Sequence, residues 1–123
     1  MRRLPFYLVL DRGNLIVSHA GLKEELHGRV DKQARSFALR GDVSDQLDEN
    51  GFKIRLDWAG GYSGSPLIVH GHTAMPDERM LNKVVCVDTG CCFGGRLTAL
   101  RYPEMEFVSV PAKEAYARSS IFH

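Results

Sequence analysis

LVLDRGNLIVSHAG, residues 8–21, decides how the fold begins. FYLVL and LIVS are rich in residues that pack on a pleated surface, and only DRGN separates them. Gly13 and Asn14 tolerate the positive φ of a tight turn, so the segment reads as a β-hairpin and Asp11 as a turn residue. His19 reads differently. It ends the second strand and precedes Ala20 and Gly21, which let the backbone pass close to whatever the imidazole faces. A histidine so placed can reach a site at the rim of a sheet.

Moving outward, LKEEL carries Leu22 and Leu26 at helical spacing. After Gly28, the residues Val30, Ala34, Phe37 and Ala38 fall on one face of a second short helix, which Gly41 stops. Residues 41–65 mix acids, glycines and aromatics without sustained periodicity, which predicts a long loop with one short strand at FKIRL. PLIVHGH and KVVCVDTG read as buried strands ending in polar residues. RLTALRY and EFVSVP, separated by PEM, predict a terminal hairpin, and residues 112–123 a polar, flexible tail. With no linker in it, the chain reads as one unit.

Composition limits the function classes. With 123 residues, 44% hydrophobic and 25% charged, the chain is that of an ordinary folded domain. A formal charge of +1 and the lack of a dense Lys/Arg run give no field for holding nucleic acid by counterion release alone, so an anionic ligand must be held locally. No apolar run approaches the roughly 18 residues of a membrane span. Pro5 and Asp11 interrupt the start too early for a signal peptide, which places the chain in the cytoplasm with no membrane partner. Three cysteines, two of them adjacent at Cys91 and Cys92, suit structural thiols in a reducing compartment. Neither a serine-hydrolase elbow nor a phosphate-binding loop of the nucleotide kinases is present.

Imidazoles at strand ends bind divalent transition metals as neutral ligands, and His19 and His72 form the obvious pair. Two hydrogen-bonded histidines at strand ends are the simpler alternative. His70 shares a strand face with His72 unless Gly71 twists the chain, and suits packing or support of a ligand. Asp88 closes a buried strand; its carboxylate either orients a histidine, touches a metal or caps the following turn. Trp58 and Tyr62 either stack on a base or anchor their loop to the core.

LVLDRGNLIVSHAGL, LIVHGHT and VCVDTGCCFGGRLTALRYPEMEFVSVPA, taken in this order, resemble the later half of a calcineurin-type metallophosphoesterase domain. The branch includes serine/threonine protein phosphatases, symmetric dinucleoside tetraphosphatases and the phosphatase domain of bacterial polynucleotide kinase-phosphatases. RGDVSDQLDENGF, RLDWAGGYSG and VPAKEAYA extend the likeness to the last of these over almost the whole chain. The resemblance implies that residues 1–123 are the C-terminal part of a metallophosphoesterase α/β sandwich, with a mixed sheet, short helices and a terminal hairpin. It implies His19 and His72 as ligands of one ion of a binuclear site, usually manganese, and Asp88 as an active-site acid that orients. Ala74, where the wider superfamily often has the second histidine of G-H-x-H, agrees with the protein-phosphatase-like branch.

The family's G-D-x-H, G-D-x-x-D-R-G and G-N-H-[DE] motifs are not in this sequence, and DRGN lacks the flanking residues that would make it one of them. Two neutral ligands without a bridging carboxylate bind metal weakly. The resulting expectation is a phosphomonoesterase acting at polynucleotide 2′/3′ ends, truncated and inactive alone. Its partners are then a phosphorylated nucleic-acid end or nucleotide, and either a missing N-terminal half or a second copy. A symmetric dinucleoside tetraphosphatase and a non-catalytic, self-associating half-domain are the alternatives.

Overall fold

The computed structural model describes residues 4–118. The elements in order are β1 (Tyr7–Leu10), β2 (Leu15–Ser18), α1 (Lys32–Arg40), β3 (Val43–Leu47), β4 (Lys53–Arg55), β5 (Leu67–His70), β6 (Arg79–Leu81), β7 (Val84–Cys86), β8 (Arg96–Arg101) and β9 (Glu106–Pro111). Five strands form one sheet in the order β1-β2-β5-β7-β6, while β3-β4 and β8-β9 are separate hairpins. The architecture is the expected α/β arrangement, a mixed sheet with short helices and a terminal hairpin.

Within the sheet β2, β5 and β7 run parallel and the two outer strands antiparallel. Register divides the side chains cleanly. Ile16, Ile68 and Val84 stand in one row, and on that face they pack with Leu22, Leu26, Ala34, Phe37 and Ala38. Leu15, Leu67 and Val85 face the other way, toward Leu100, Tyr102, Met105 and Phe107 of the terminal hairpin region. Both faces of the central strands are therefore covered, which is why LIVS and LIV(H) read as continuous apolar runs without alternation. Fully burying each of the three side chains in the first row contributes roughly 1.5–3 kcal/mol.

Local chemistry explains the helix. The Asp31 carboxylate accepts from the Ala34 N–H at 3.0 Å and caps the N-terminus. At the other end Gly41, at φ 79, donates its N–H to the Phe37 carbonyl. Ala34, Phe37 and Ala38 are the buried face, as the spacing predicts. Val30 is not part of it: it precedes the N-cap and is 81% exposed.

Other expectations are corrected. LKEEL forms only a single short turn at Glu24–Leu26, because Gly21 (φ 116) and Gly28 (φ 78) bracket too few residues to offset helix nucleation. Leu22 and Leu26 are buried all the same. Residues 41–65 hold a hairpin, β3-β4, whose first strand, polar at residues 44–46 and half-buried only at Val43 and Ser44, gives no alternation to read. Its turn is held by the Asp48 side chain, which accepts from the N–H groups of Asn50 and Phe52. Strand β6 went unpredicted. In the first hairpin the positive φ angles belong to Asp11, Arg12 and Gly13, and Asn14 is right-handed at φ −83. Asp11 is a turn residue as expected, and its carboxylate accepts from the Tyr102 hydroxyl. The expected tail begins in ordered contact, since Cys92 O accepts from the N–H groups of Tyr116 and Ala117, and Gly95 O from that of Ala112. Residues 119–123 of that tail lie outside the described residues.

Two predictions follow from the packing. A Cβ on Gly21 would stand 2.3 Å from Cζ2 of Trp58, at a φ that only glycine adopts readily. Gly21→Ala is expected to cost about 3 kcal/mol by overpacking and backbone strain together, read as a drop in the urea midpoint. Tyr62, buried with its hydroxyl donating to Pro66 O at 2.7 Å, has its pKa pushed up from 10.0 to about 12, chiefly by burial and then by Glu24. Between those values the unfolded chain gives up a proton that the folded chain keeps, so this stability is complete below pH 10 and lost as pH rises toward 12. The fall in urea midpoint over that range should be shallower in Tyr62→Phe than in the parent.

Candidate functional site

Parallel strands aligned by their core rows end at one rim, and that alone gathers the polar residues which follow them. His19 comes directly after β2, His70 ends β5, His72 lies two residues further, and Asp88 lies two residues beyond β7. The rim is laced by backbone bonds: Gly71 N–H to His19 O at 2.9 Å and Val87 N–H to His70 O at 3.0 Å. A Cβ on Gly71 would meet Asp88 and His19 O at 3.7 to 3.8 Å, so the loop passes closely between them.

His19 Nε2 lies 3.1 Å from His72 Nδ1, across 53 positions of sequence. The ring centroids are 4.9 Å apart and tilted by 57°. His72 has φ 70, a left-handed conformation that costs a non-glycine residue on the order of 1–3 kcal/mol and that collects at functional sites. Arg55, from β4, brings Nη2 to 3.3 Å from His72 Nε2 while its Nη1 donates to Arg40 O.

This arrangement assigns the protons. A guanidinium only donates, so His72 Nε2 must accept and the neutral ring carries its hydrogen on Nδ1. That hydrogen points at His19, whose Nε2 accepts it. Burial, then the positive charge of Arg55, then His19, hold His72 below the ordinary histidine pKa of 6.5. The ring is thus neutral near pH 7, with its one lone pair on Nε2, facing Arg55.

The other candidates separate. His70 faces the first core, beside Trp58, and its Nδ1 is 2.9 Å from Gly71 O. Burial lowers its pKa, so it is a neutral packing residue rather than a partner of the pair. Asp88 caps a turn, its Oδ1 accepting from Gly90 N–H at 3.1 Å; the carboxylate sits beside the histidine loop and acts on His70 and His72 through its charge. Trp58 anchors its loop, edge-on to Phe37 and Tyr62 and against Gly21. Cys86, Cys91 and Cys92 are free thiols. Arg55 is the residue that sequence reasoning missed. It is one arginine among several and lies in a three-residue exposed strand, so no local signal could have marked it. Among the described residues no group of three or more His, Cys, Asp or Glu side chains converges as a metal would require.

No family model matches the chain. Curated proteins do. It is 47% identical over 112 residues to bis(5′-nucleosyl)-tetraphosphatase PrpE [asymmetrical] of Geobacillus sp. (strain WCH70), covering 91% of this chain and 46% of that protein. Its identity to the protein of the same name from Bacillus cereus (strain AH820) is 50% over 108 residues, covering 88% and 44%. The chain therefore spans about half the length of the curated relatives it matches. A solved structure described as that of "a putative diadenosine tetraphosphatase" has the same fold over 90% of this chain and 52% of its own, with a TM-score of 0.63 at 22% identity.

Removing the guanidinium tests the proton assignment. In Arg55→Met the pKa of His72 should rise and the Nε2-protonated tautomer should gain population, both read from imidazole 15N shifts in a pH titration. Unchanged shifts would mean that Arg55 does not contact the ring in solution.

Proposed function

We propose that this chain carries the imidazole pair of a metal-dependent hydrolase that cleaves dinucleoside tetraphosphates, of the asymmetrical kind named for its relatives. The observation that carries the reading is the 3.1 Å approach of His19 Nε2 to His72 Nδ1. Two imidazole nitrogens, each about 2.1 Å from one cation and subtending a right angle, lie about 3 Å apart, so the spacing fits a shared divalent ion as well as it fits a hydrogen bond. A cation at His72 Nδ1 would require the ring's hydrogen to move to Nε2 and the Arg55 N–H to turn from that nitrogen, and the lowered pKa of the ring favours the neutral form that a cation needs.

His19 and His72 are the residues that would hold the ion, and manganese is the ion proposed. A divalent cation there would supply Lewis-acid stabilisation of the phosphoryl oxygens. Arg55 adds a fixed positive charge beside the pair, suited to orienting a phosphate oxygen. Asp88, hydrogen-bonded to the turn, supports the rim and offsets part of the positive charge around His72. Two neutral nitrogens alone bind a cation weakly, so efficient hydrolysis is expected only where carboxylates complete the ligand set.

The relatives' names support a dinucleoside polyphosphate over the polynucleotide end that the sequence resemblance suggested, and asymmetrical over symmetric cleavage. The experiment is a manganese titration of the chain by calorimetry. His19→Ala and His72→Ala should each weaken binding by at least about tenfold, the low end of what losing even a residue that supports a metal ligand costs. Equal affinity in parent and variants would overturn the assignment. Supplying diadenosine tetraphosphate and a 3′-phosphorylated oligonucleotide side by side then tests the substrate: the reading requires that any phosphate chemistry appear on the former, with a monophosphate and a triphosphate as products.

A further inference from the structure

A cavity of about 300 Å³ adjoins the imidazole pair. Ala20 and Thr73, the immediate chain neighbours of His19 and His72, form part of its wall, and Arg55 belongs to both the cavity and the pair. Its size is at the small end of the roughly 300–1,000 Å³ range of ligand pockets, room for a single base with its sugar.

Its lining is that of a site for a flat, amphipathic group. Trp58, Leu56, Met75 and Leu81 give apolar walls, and His70 and Asp42 stand among them as polar groups. The Asp57 carboxylate that also lines it is held by both terminal nitrogens of Arg79. The Asp42 carboxylate has no hydrogen-bond partner among the described residues, so it remains an acceptor for an amine or a ribose hydroxyl. An anionic ligand confined to the apolar walls would be opposed by Asp42, whereas one with a neutral head in the cavity and its charge at Arg55 is not. That distribution of charge is the distribution in a nucleoside 5′-phosphate.

We infer that the cavity walled by Trp58, Met75 and Asp42 binds the nucleoside of a nucleotide whose 5′-phosphate lies at Arg55 and the His19–His72 pair. The inference rests on the proposed function for what the pair does to that phosphate. One guanidinium separates cavity from imidazoles, so the phosphate nearest the sugar is the one presented to the site. A dinucleoside tetraphosphate bound this way is held at one end, off its centre.

Trp58 is the chain's one tryptophan, and it lines the cavity, so occupancy can be read from its fluorescence. With manganese present throughout, adenosine and adenosine monophosphate should quench Trp58 and ribose 5-phosphate should not. By calorimetry the monophosphate should bind about tenfold or more tighter than ribose 5-phosphate, the increment that one stacked and sequestered base supplies. Leu81→Trp, which fills the cavity from β6, should erase that advantage and leave manganese affinity unchanged. Equal binding of the two phosphates, no binding of either, or no quenching by adenosine would overturn the inference. Quenching by adenosine that persists while His19→Ala leaves manganese affinity untouched would instead reject the proposed metal role and retain the nucleoside cavity.

Discussion

The parallel alignment of β2, β5 and β7 is the constraint on which the rest depends. Ile16, Ile68 and Val84 lie side by side on one face, and Leu15, Leu67 and Val85 on the other. With side chains alternating at a period of two, a slip of one residue would turn each core set to the wrong face, so burial on both sides pins the register. Pinned register, in turn, brings the three strand ends to the same level. The imidazoles meet because the valines and isoleucines do.

What the rim holds is a small electrostatic arrangement rather than a complete metal centre. A guanidinium compels one ring to accept, that ring donates to the next, and partial burial keeps the first of them neutral. The strained backbone at His72 is maintained by its surroundings: Gly71 threads between His19 and Asp88, and Met75 N–H bonds back to Asp88 O. Near it the β3-β4 hairpin, resting on the helix end through Arg55 and the Arg40 carbonyl, delivers the positive charge. The Trp58 loop closes the cavity side, packed through Gly21 onto the same turn that carries His19.

Much of this was legible. The first hairpin, the helix, two buried strands and the terminal hairpin all have local signals: turn residues and apolar spacing, with His19 and His72 each marked only as an imidazole following an apolar run. The misreadings have physical causes. Leu22 and Leu26 have helical spacing, yet the flanking glycines allow only one turn, and tertiary burial keeps both leucines inside without a helix. Strand β3 is polar in its middle and mostly exposed, so its pairing with β4 comes from backbone bonds and an Asp48 turn that composition does not advertise. Asp88 carried three readings at the level of residue type, and its hydrogen bond to the Gly90 N–H supplies the capping one.

By itself the sequence determined the apolar core of the central strands, where the chain turns, and which side chains finish those strands, since these follow from hydrophobicity, glycine and proline at short range. Only the tertiary structure decided that His19 and His72 touch, that Arg55 joins them from a distant hairpin, and that a cavity opens beside them. Those are contacts between segments far apart in the chain. Their distances are set by how the layers pack, a quantity that no local pattern of residues encodes.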